Sequence, residues 1–222
     1  MIQFFLEKLP KSHLHILCLG SHCDDIEIGC GGTLLKLTER CSDICVDWIV
    51  FSGNERRKKE ALASSEWFLK HVKNRNVIIR DFRDGFFPFV GANIKEYFET
   101  MKHAVNPDLI FTHYGKDFHQ DHRVISELTW NTFRDHLILE YEIPKYDGDI
   151  GSPNFFVHLD AGLCETKIRY IENSFTSQSQ NHWFSRDAFY SLLKFRGIES
   201  NSPTGYAEGF YSRKVIFNCG IV

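Results

Sequence analysis

The sequence predicts a Rossmann-like, three-layer α/β fold with a mostly parallel sheet. Two observations support this fold class. Short apolar runs alternate with segments of helical period through the first two-thirds of the chain, which is typical of β-α units whose helices cover both faces of a parallel sheet. Polar turns follow two of the apolar runs, and ligands bind at such strand ends in open α/β sheets.

The predicted strands are apolar runs that end at glycine, serine or charged residues. The first covers 13–20, contains Ile16-Leu17-Cys18-Leu19 and ends at Gly20. The later runs have the same character. They cover 44–51, 76–81, 108–113, 137–143 and 154–159.

Apolar residues spaced three and four apart predict helices between these strands. The first predicted helix begins among Gly29, Gly31 and Gly32. These glycines lack the full dinucleotide-binding spacing, and close helix packing explains them better. The predicted helices cover 30–40, 54–71, 93–105, 122–135, 162–174 and 184–196.

Length and composition favour one domain over 1–222, because 43% apolar residues can build a sizeable core. We expect the part from about 144 onward to shape a substrate site.

The net charge of -3 argues against nucleic acid as a partner, and Arg56 to Lys59 is best explained as a solvated helix face. No run suits membrane insertion or a secretory signal. Composition leaves a homo-oligomer open.

The cysteines predict a reducing, cytoplasmic location. Seven is an odd number, and no Cys-x-x-Cys pair occurs among them. A disulfide framework would need a denser and more regular spacing in a chain of this length.

Two polar clusters predict a divalent-metal site. His22-Cys23-Asp24-Asp25 follows the first strand, and His119-Gln120-Asp121-His122 follows the strand at 108–113. Zinc in hydrolases usually takes three ligands from histidine and carboxylate side chains and leaves one position open. His22, Asp25 and His122 form such a set for Zn²⁺, and the same donors suit Fe²⁺.

The remaining polar groups of the two clusters suit catalysis. Asp24 points differently from Asp25 and is free to take a proton from water. His119 lies one helical turn before His122, and with Asp121 or another carboxylate nearby it can stay cationic and stabilise an oxyanion. This assembly suits amide hydrolysis. Taken alone, the first cluster is equally explained as a polar turn whose aspartate caps the following helix.

At these residues the chain resembles the PIG-L/LmbE-like family of zinc-dependent N-deacetylases. The family motif His-Pro-Asp-Asp is similar to residues 22–25, with Cys23 in place of proline, and its His-x-Asp-His motif is similar to residues 119–122. The Gly-Cys-Gly-Gly-Thr start of the first helix also matches. Weaker likenesses stand at Arg57-x-x-Glu60-Ala61, Ser177-Gln178 and Tyr206-Ala207-Glu208-Gly209-Phe210.

The resemblance implies a Rossmann-like deacetylase that removes the acetyl group of an acetylated amino sugar, a sugar conjugate or a nucleotide sugar. It implies zinc ligation by the three residues above and substrate contacts by Arg57 and Glu208. It also implies support of the site by Glu208, which a plain surface ion pair explains equally well. Two alternatives stay open: a metal-dependent esterase or phosphoesterase, and a sugar-binding protein without activity.

Overall fold

A computed structural model describes residues 13–41 and 43–216 and contains one seven-stranded sheet. The strands are β1 (Leu14–Gly20), β2 (Ile44–Val50), β3 (Asn74–Ile79), β4 (Leu109–His113), β5 (Leu137–Tyr141), β6 (Phe155–Leu159) and β7 (Tyr206–Tyr211). The α-helices are α1 (Asp25–Arg40), α2 (Glu55–Phe68), α3 (Gly91–Ala104), α4 (Gln120–Thr132), α5 (Ala161–Ser174) and α6 (Arg186–Glu199). Short 3₁₀ helices lie at Phe87–Phe89 and Thr176–Gln178.

The sheet has the strand order β3-β2-β1-β4-β5-β7-β6. Its first five strands are parallel, and β7 runs antiparallel to β5 and β6. Helices α1, α2, α5 and α6 pack on one face and α3 and α4 on the other, each group over its own apolar cluster. The predicted three-layer, mostly parallel α/β fold is confirmed.

The first helix starts earlier than expected. It begins at Asp25, so the predicted start at 30 is too late, and the glycines lie inside the helix. A Cβ atom on Gly29 would stand 2.2 Å from the ring of Tyr141, and one on Gly31 would stand 2.6 Å from Phe68. The glycines therefore let α1 lie close to the sheet and to α2, as the packing explanation requires.

The strand β7 was not among the predicted elements. The strand lies between β5 and β6 and places Glu208 in the sheet, opposite Val157 of β6. Its sequence, Tyr206 to Tyr211, contains a charged residue and a glycine and so lacks the continuous apolar character of the parallel strands. Strand pairing, and not local pattern, determines this element.

The winding of the sheet reverses between β1 and β4. These strands are neighbours, with Ile16 opposite Leu109 and Cys18 opposite Phe111, while their connections lead to opposite sides of the sheet. A crevice opens beyond the carboxyl ends of two such strands. The turns that follow β1 and β4 therefore meet at one place.

None of the described helices is both long and apolar enough to cross a bilayer. The six cysteines within the described residues are free thiols, as predicted. Cys219 and the N-terminal stretch considered for a secretory signal lie outside the described residues.

Candidate metal centre

The three predicted metal ligands converge in the crevice between β1 and β4. Nδ1 of His22 lies 3.3 Å from Nε2 of His122 and 3.4 Å from Oδ2 of Asp25. Nε2 of His122 lies 3.6 Å from Oδ1 of Asp25. Tetrahedral zinc with bonds of about 2.0–2.1 Å places its ligand atoms about 3.3 Å apart, so the three side chains fit a divalent ion.

The outward nitrogen of each histidine contacts a carboxylate. Nδ1 of His122 lies 2.9 Å from Oδ2 of Asp117. Nε2 of His22 lies 3.1 Å from Asp84 and 3.4 Å from Asp121. In metal sites such contacts fix the ring and its tautomer, because the nitrogen that carries the proton faces the carboxylate. With a metal ion bound, the inner nitrogen of each ring, Nδ1 of His22 and Nε2 of His122, would direct its lone pair at the ion.

The charges of the site suit a bound cation. Burial lowers the pKa of His122 to about 3, with neighbouring His113 adding to the effect, so this ring is neutral. Burial also lowers the pKa of His22, but Asp25, Asp121 and Asp84 outweigh it and hold that pKa well above its ordinary value. Burial raises the pKa of Asp25, yet the surrounding histidines outweigh this effect and keep the carboxylate anionic. The carboxylates that raise the pKa of His22 would also favour a bound metal ion.

Asp24 does not cap α1. It occupies the residue before the helix, but its side chain makes no capping hydrogen bond. Its Oδ1 instead lies 2.7 Å from Nη2 of Arg57, and its Oδ2 is buried with no hydrogen-bond partner among the described residues. Burial raises the pKa of Asp24 despite the opposing charge of Arg57. The carboxylate thus has one oxygen fixed and one available to accept a proton.

Arg57 connects two of the three weaker motifs, its own and Ser177-Gln178. Its Nη1 donates to Ser177 Oγ at 3.3 Å, and its guanidinium lies over the ring of Phe175. Glu60, one turn further along α2, accepts from the backbone N–H of Ser177 at 2.9 Å and from its hydroxyl at 2.6 Å. The segment after α5 is therefore attached to the start of α2 beside Asp24.

His119 lies at the residue before α4, and its ring faces the rings of His22 and His122 at centroid distances of 4.9 and 4.5 Å. Its Nδ1 is buried without a partner among the described residues. Burial and the charge of His22 lower its pKa. His119 is therefore a neutral donor at pH 7, which differs from the cationic form expected.

Asp121 is not the partner of His119 that the sequence suggested. Its Oδ2 accepts from the backbone N–H of Gly85 at 2.7 Å, and its Oδ1 accepts from that of Phe87 at 3.1 Å. The same carboxylate faces His22. Asp121 therefore connects the loop after β3 with His22, in the turn after β1.

Glu208 lies in β7, and both of its carboxylate oxygens accept hydrogen bonds. It accepts from the backbone N–H of Gly32 at 2.8 Å, from that of Thr33 at 2.7 Å, and from Lys167 at 2.6 Å. The residue is 3% exposed. These contacts hold α1 in place and explain Glu208 as a support for that helix, whereas a substrate contact stays a prediction.

Cys23, which stands where the family has proline, is no additional ligand. Its thiol donates to the carbonyl of Ser52 at 3.2 Å and packs against Gly53. Burial raises its pKa to about 12, so the group stays a neutral thiol. The turn is held by Asp25 instead, whose Oδ2 accepts from the backbone N–H of His22 at 2.6 Å.

Sequence reasoning missed three residues around the ligands and left a fourth undecided. From the sequence, His113 could be a packed or surface histidine, or it could line the pocket because it ends the strand that leads to the second cluster. It is buried against the site, with Nε2 3.1 Å from Asp25 and its ring stacked on His122. Asp117 stands two residues before His119, a local spacing that could have suggested a contact. No local signal marked Asp84 or Lys145, because their contacts bridge distant segments.

Comparison with known proteins identifies the family. The model of the PIG-L family, described as GlcNAc-PI de-N-acetylase, matches residues 17–133, which is more than half of the chain and includes both metal-ligand turns. The chain belongs to the PIG-L family.

Solved structures share the PIG-L fold over nearly the whole chain. The conserved protein TT1542 from Thermus thermophilus has 19% identity and a TM-score of 0.71, with 92% of this chain and 97% of that chain covered. N,N'-diacetylchitobiose deacetylase from Pyrococcus horikoshii has 20% identity and a TM-score of 0.66, with 89% and 83% covered. The 4-carboxy-2-hydroxymuconate hydratase GalB from Pseudomonas putida has 15% identity and a TM-score of 0.69, with 94% and 100% covered. At these identities the likeness concerns the fold alone.

Proposed function

We propose that this protein is a metal-dependent N-deacetylase that releases acetate from an acetylated amino sugar, a sugar conjugate or a nucleotide sugar. One observation carries the proposal: the ligand atoms of His22, Asp25 and His122 converge beside a buried carboxylate, Asp24, one of whose oxygens has no partner among the described residues. Membership of a de-N-acetylase family and the likeness to chitobiose deacetylase support the reaction and the substrate class.

The three converging side chains would hold Zn²⁺, or Fe²⁺ with the same donor set. A divalent ion bound there supplies a Lewis acid and lowers the pKa of water toward about 7. The fit rests on the spacing of the ligand atoms and on the carboxylates that face the outward ring nitrogens.

Asp24 acts as the general base in this proposal. Its available Oδ2 takes the proton of the attacking water, whose oxygen forms a bond to the acetamide carbonyl carbon. Arg57 fixes the other oxygen, so the acceptor atom is held in one orientation. The proton then passes to the amine nitrogen, the C–N bond breaks, and acetate and a free amine leave.

His119 stabilises the negative charge that develops on the carbonyl oxygen. As a neutral ring it donates one N–H to that oxygen, and a donor placed for the transition state contributes several kcal/mol in known hydrolases, roughly 2.7–4. Asp121 acts indirectly, by fixing His22 and the loop at 85–87. Arg57, which donates to Ser177, would contact the substrate as well as Asp24.

We also propose a cytoplasmic location, which the free thiols of the described cysteines support. The expected partner is the small-molecule substrate. Nucleic acid and membrane insertion are not part of the proposal, and self-association stays open.

Acetate release from a substrate panel tests the proposal. We expect turnover of N-acetylglucosamine glycosides or nucleotide sugars by zinc-loaded protein, loss of turnover after chelation, and recovery on adding Zn²⁺ or Fe²⁺. The panel includes acyl esters, phosphoesters and hydration of an unsaturated acid, since the fold also supports a hydratase. Faster turnover of an ester or hydration substrate would replace the proposed reaction, and sugar binding without any turnover would favour an inactive binding protein.

A further inference from the structure

A lysine outside the predicted site lies behind the metal ligands. Lys145 follows β5, and its Nζ is 2.9 Å from Oδ2 of Asp117 and 2.6 Å from Oδ2 of Asp149. The Lys145 side chain is 11% exposed, and both carboxylates are nearly buried. An ammonium group in this position neutralises two carboxylates that water cannot reach well.

Asp117 connects this lysine to the site. The oxygen that contacts Lys145 is the same Oδ2 that faces Nδ1 of His122 at 2.9 Å. The other oxygen, Oδ1, accepts from the backbone N–H of His119 at 2.7 Å. One carboxylate therefore orients both a metal ligand and the proposed oxyanion donor.

Asp149 adds a second connection to the same stretch. Its Oδ2 accepts from the backbone N–H of Phe118 at 2.7 Å as well as from Lys145. The loop at 145–149 thus contacts the stretch 117–119 through a side chain and through the backbone. This loop belongs to the part of the chain expected to shape the substrate site.

We propose that Lys145 is a positioning residue for the metal ligand His122 and that it acts through Asp117. The inference rests on the proposed metal site. By fixing the Asp117 carboxylate against Nδ1 of His122, Lys145 keeps the proton on that nitrogen and the lone pair of Nε2 directed at the ion. The loop at 145–149 is thereby coupled to metal binding.

The sign of the effect distinguishes positioning from simple electrostatics. Removing a positive charge beside a dication reduces repulsion and, by itself, would tighten metal binding. Loss of an outer partner of a metal ligand instead weakens binding, typically by about 10- to 100-fold. A Lys145→Met variant that binds zinc more weakly therefore reports lost orientation.

The experiment measures zinc affinity by competition with a chromophoric chelator and records the visible spectrum of the Co²⁺-loaded protein. We expect Lys145→Met to weaken zinc binding roughly tenfold and to alter the cobalt spectrum. Lys145→Arg, which keeps the charge and the donors, should stay within about threefold of the original protein. In an Asp117→Asn background, adding Lys145→Met should no longer weaken zinc binding, because the connection is already broken.

Lys167→Met is the matched control. Lys167 is also a buried lysine paired with a carboxylate, at 2.6 Å from Glu208, but that carboxylate contacts none of the three ligands. We expect this variant to lower the melting temperature and to leave zinc affinity within about twofold. Equal weakening by both lysine variants would overturn the inference, because general destabilisation would then explain it.

A second readout needs no metal. Long-range ¹H–¹⁵N spectra of the metal-free protein should show His122 as the Nδ1–H tautomer, and Lys145→Met should give a mixture of tautomers. If Lys145→Met does not fold, Lys145→Gln replaces it in both measurements.

Zinc binding by the Lys145 variant that is unchanged or tighter, with the tautomer unchanged, would refute the positioning role and leave the proposed deacetylase intact. Absence of zinc binding by the unmodified protein would refute the proposed function, and the tautomer measurement would still test Lys145.

Discussion

An Asp24→Asn variant should retain its divalent metal and lose about 10²- to 10⁴-fold in turnover, the usual contribution of a positioned proton acceptor. Asparagine keeps an oxygen for the contact with Arg57, whose Nη2 lies 2.7 Å from Oδ1, and keeps the volume of the buried side chain. It removes the carboxylate oxygen that has no partner among the described residues. Steady-state acetate release, together with metal content, measures the effect.

Glu27→Gln is the control for this prediction. Glu27 lies in the same turn of α1 and is also buried, and burial raises its pKa to about 8. It is mostly protonated at pH 7, so glutamine resembles the native form, and turnover should stay within a few-fold. Full activity of Asp24→Asn, or an equal loss in Glu27→Gln, would show that Asp24 is not the base.

A His122→Ala variant should lose metal binding by more than the roughly 10- to 100-fold that follows loss of an outer hydrogen-bond partner, because it removes a ligand itself. His122 is central to the site: its two nitrogens face the other two ligands and Asp117. Acetate release should fall to background. Added zinc should raise the melting temperature of the unmodified protein, since ligand binding stabilises the folded state, and should have little effect on this variant.

His136→Ala serves as its control. His136 directly precedes β5 and faces Asn106. It therefore lies at the amino-terminal ends of the parallel strands, whereas the site lies beyond their carboxyl ends. This variant should bind zinc and gain stability from it like the unmodified protein. A zinc-dependent rise in melting temperature that persists in His122→Ala would place the metal elsewhere.

The sequence predicted the parallel part of the fold and brought together the two turns that form the candidate site. Periodicity located β1 to β5 within a few residues, and the turns after β1 and β4 meet because those strands are neighbours at the point where the winding reverses. His22 and Asp25 are close in the sequence, so their spacing alone indicated that both could bind the same ion. His122 could be added because its turn follows the second of these strands.

The remaining features depend on contacts between distant segments. Lys145 reaches Asp117, and Asp84 reaches His22, across loops whose course no local pattern determines. The pairing of Glu208 with α1 requires β7 to lie between β5 and β6, which is a property of the sheet and not of the strand. Asp121 was associated with His119 by sequence proximity, whereas the structure directs it to the loop at 85–87.

The most direct test is a crystal structure of the zinc-loaded protein with anomalous diffraction recorded at the zinc edge. We predict one strong peak within about 2.0–2.2 Å of Nδ1 of His22, a carboxylate oxygen of Asp25 and Nε2 of His122. A peak bound instead among Asp117, Asp147 and Asp149, whose oxygens also approach one another, would contradict the proposed site, as would His22 or His122 turned away from the ion.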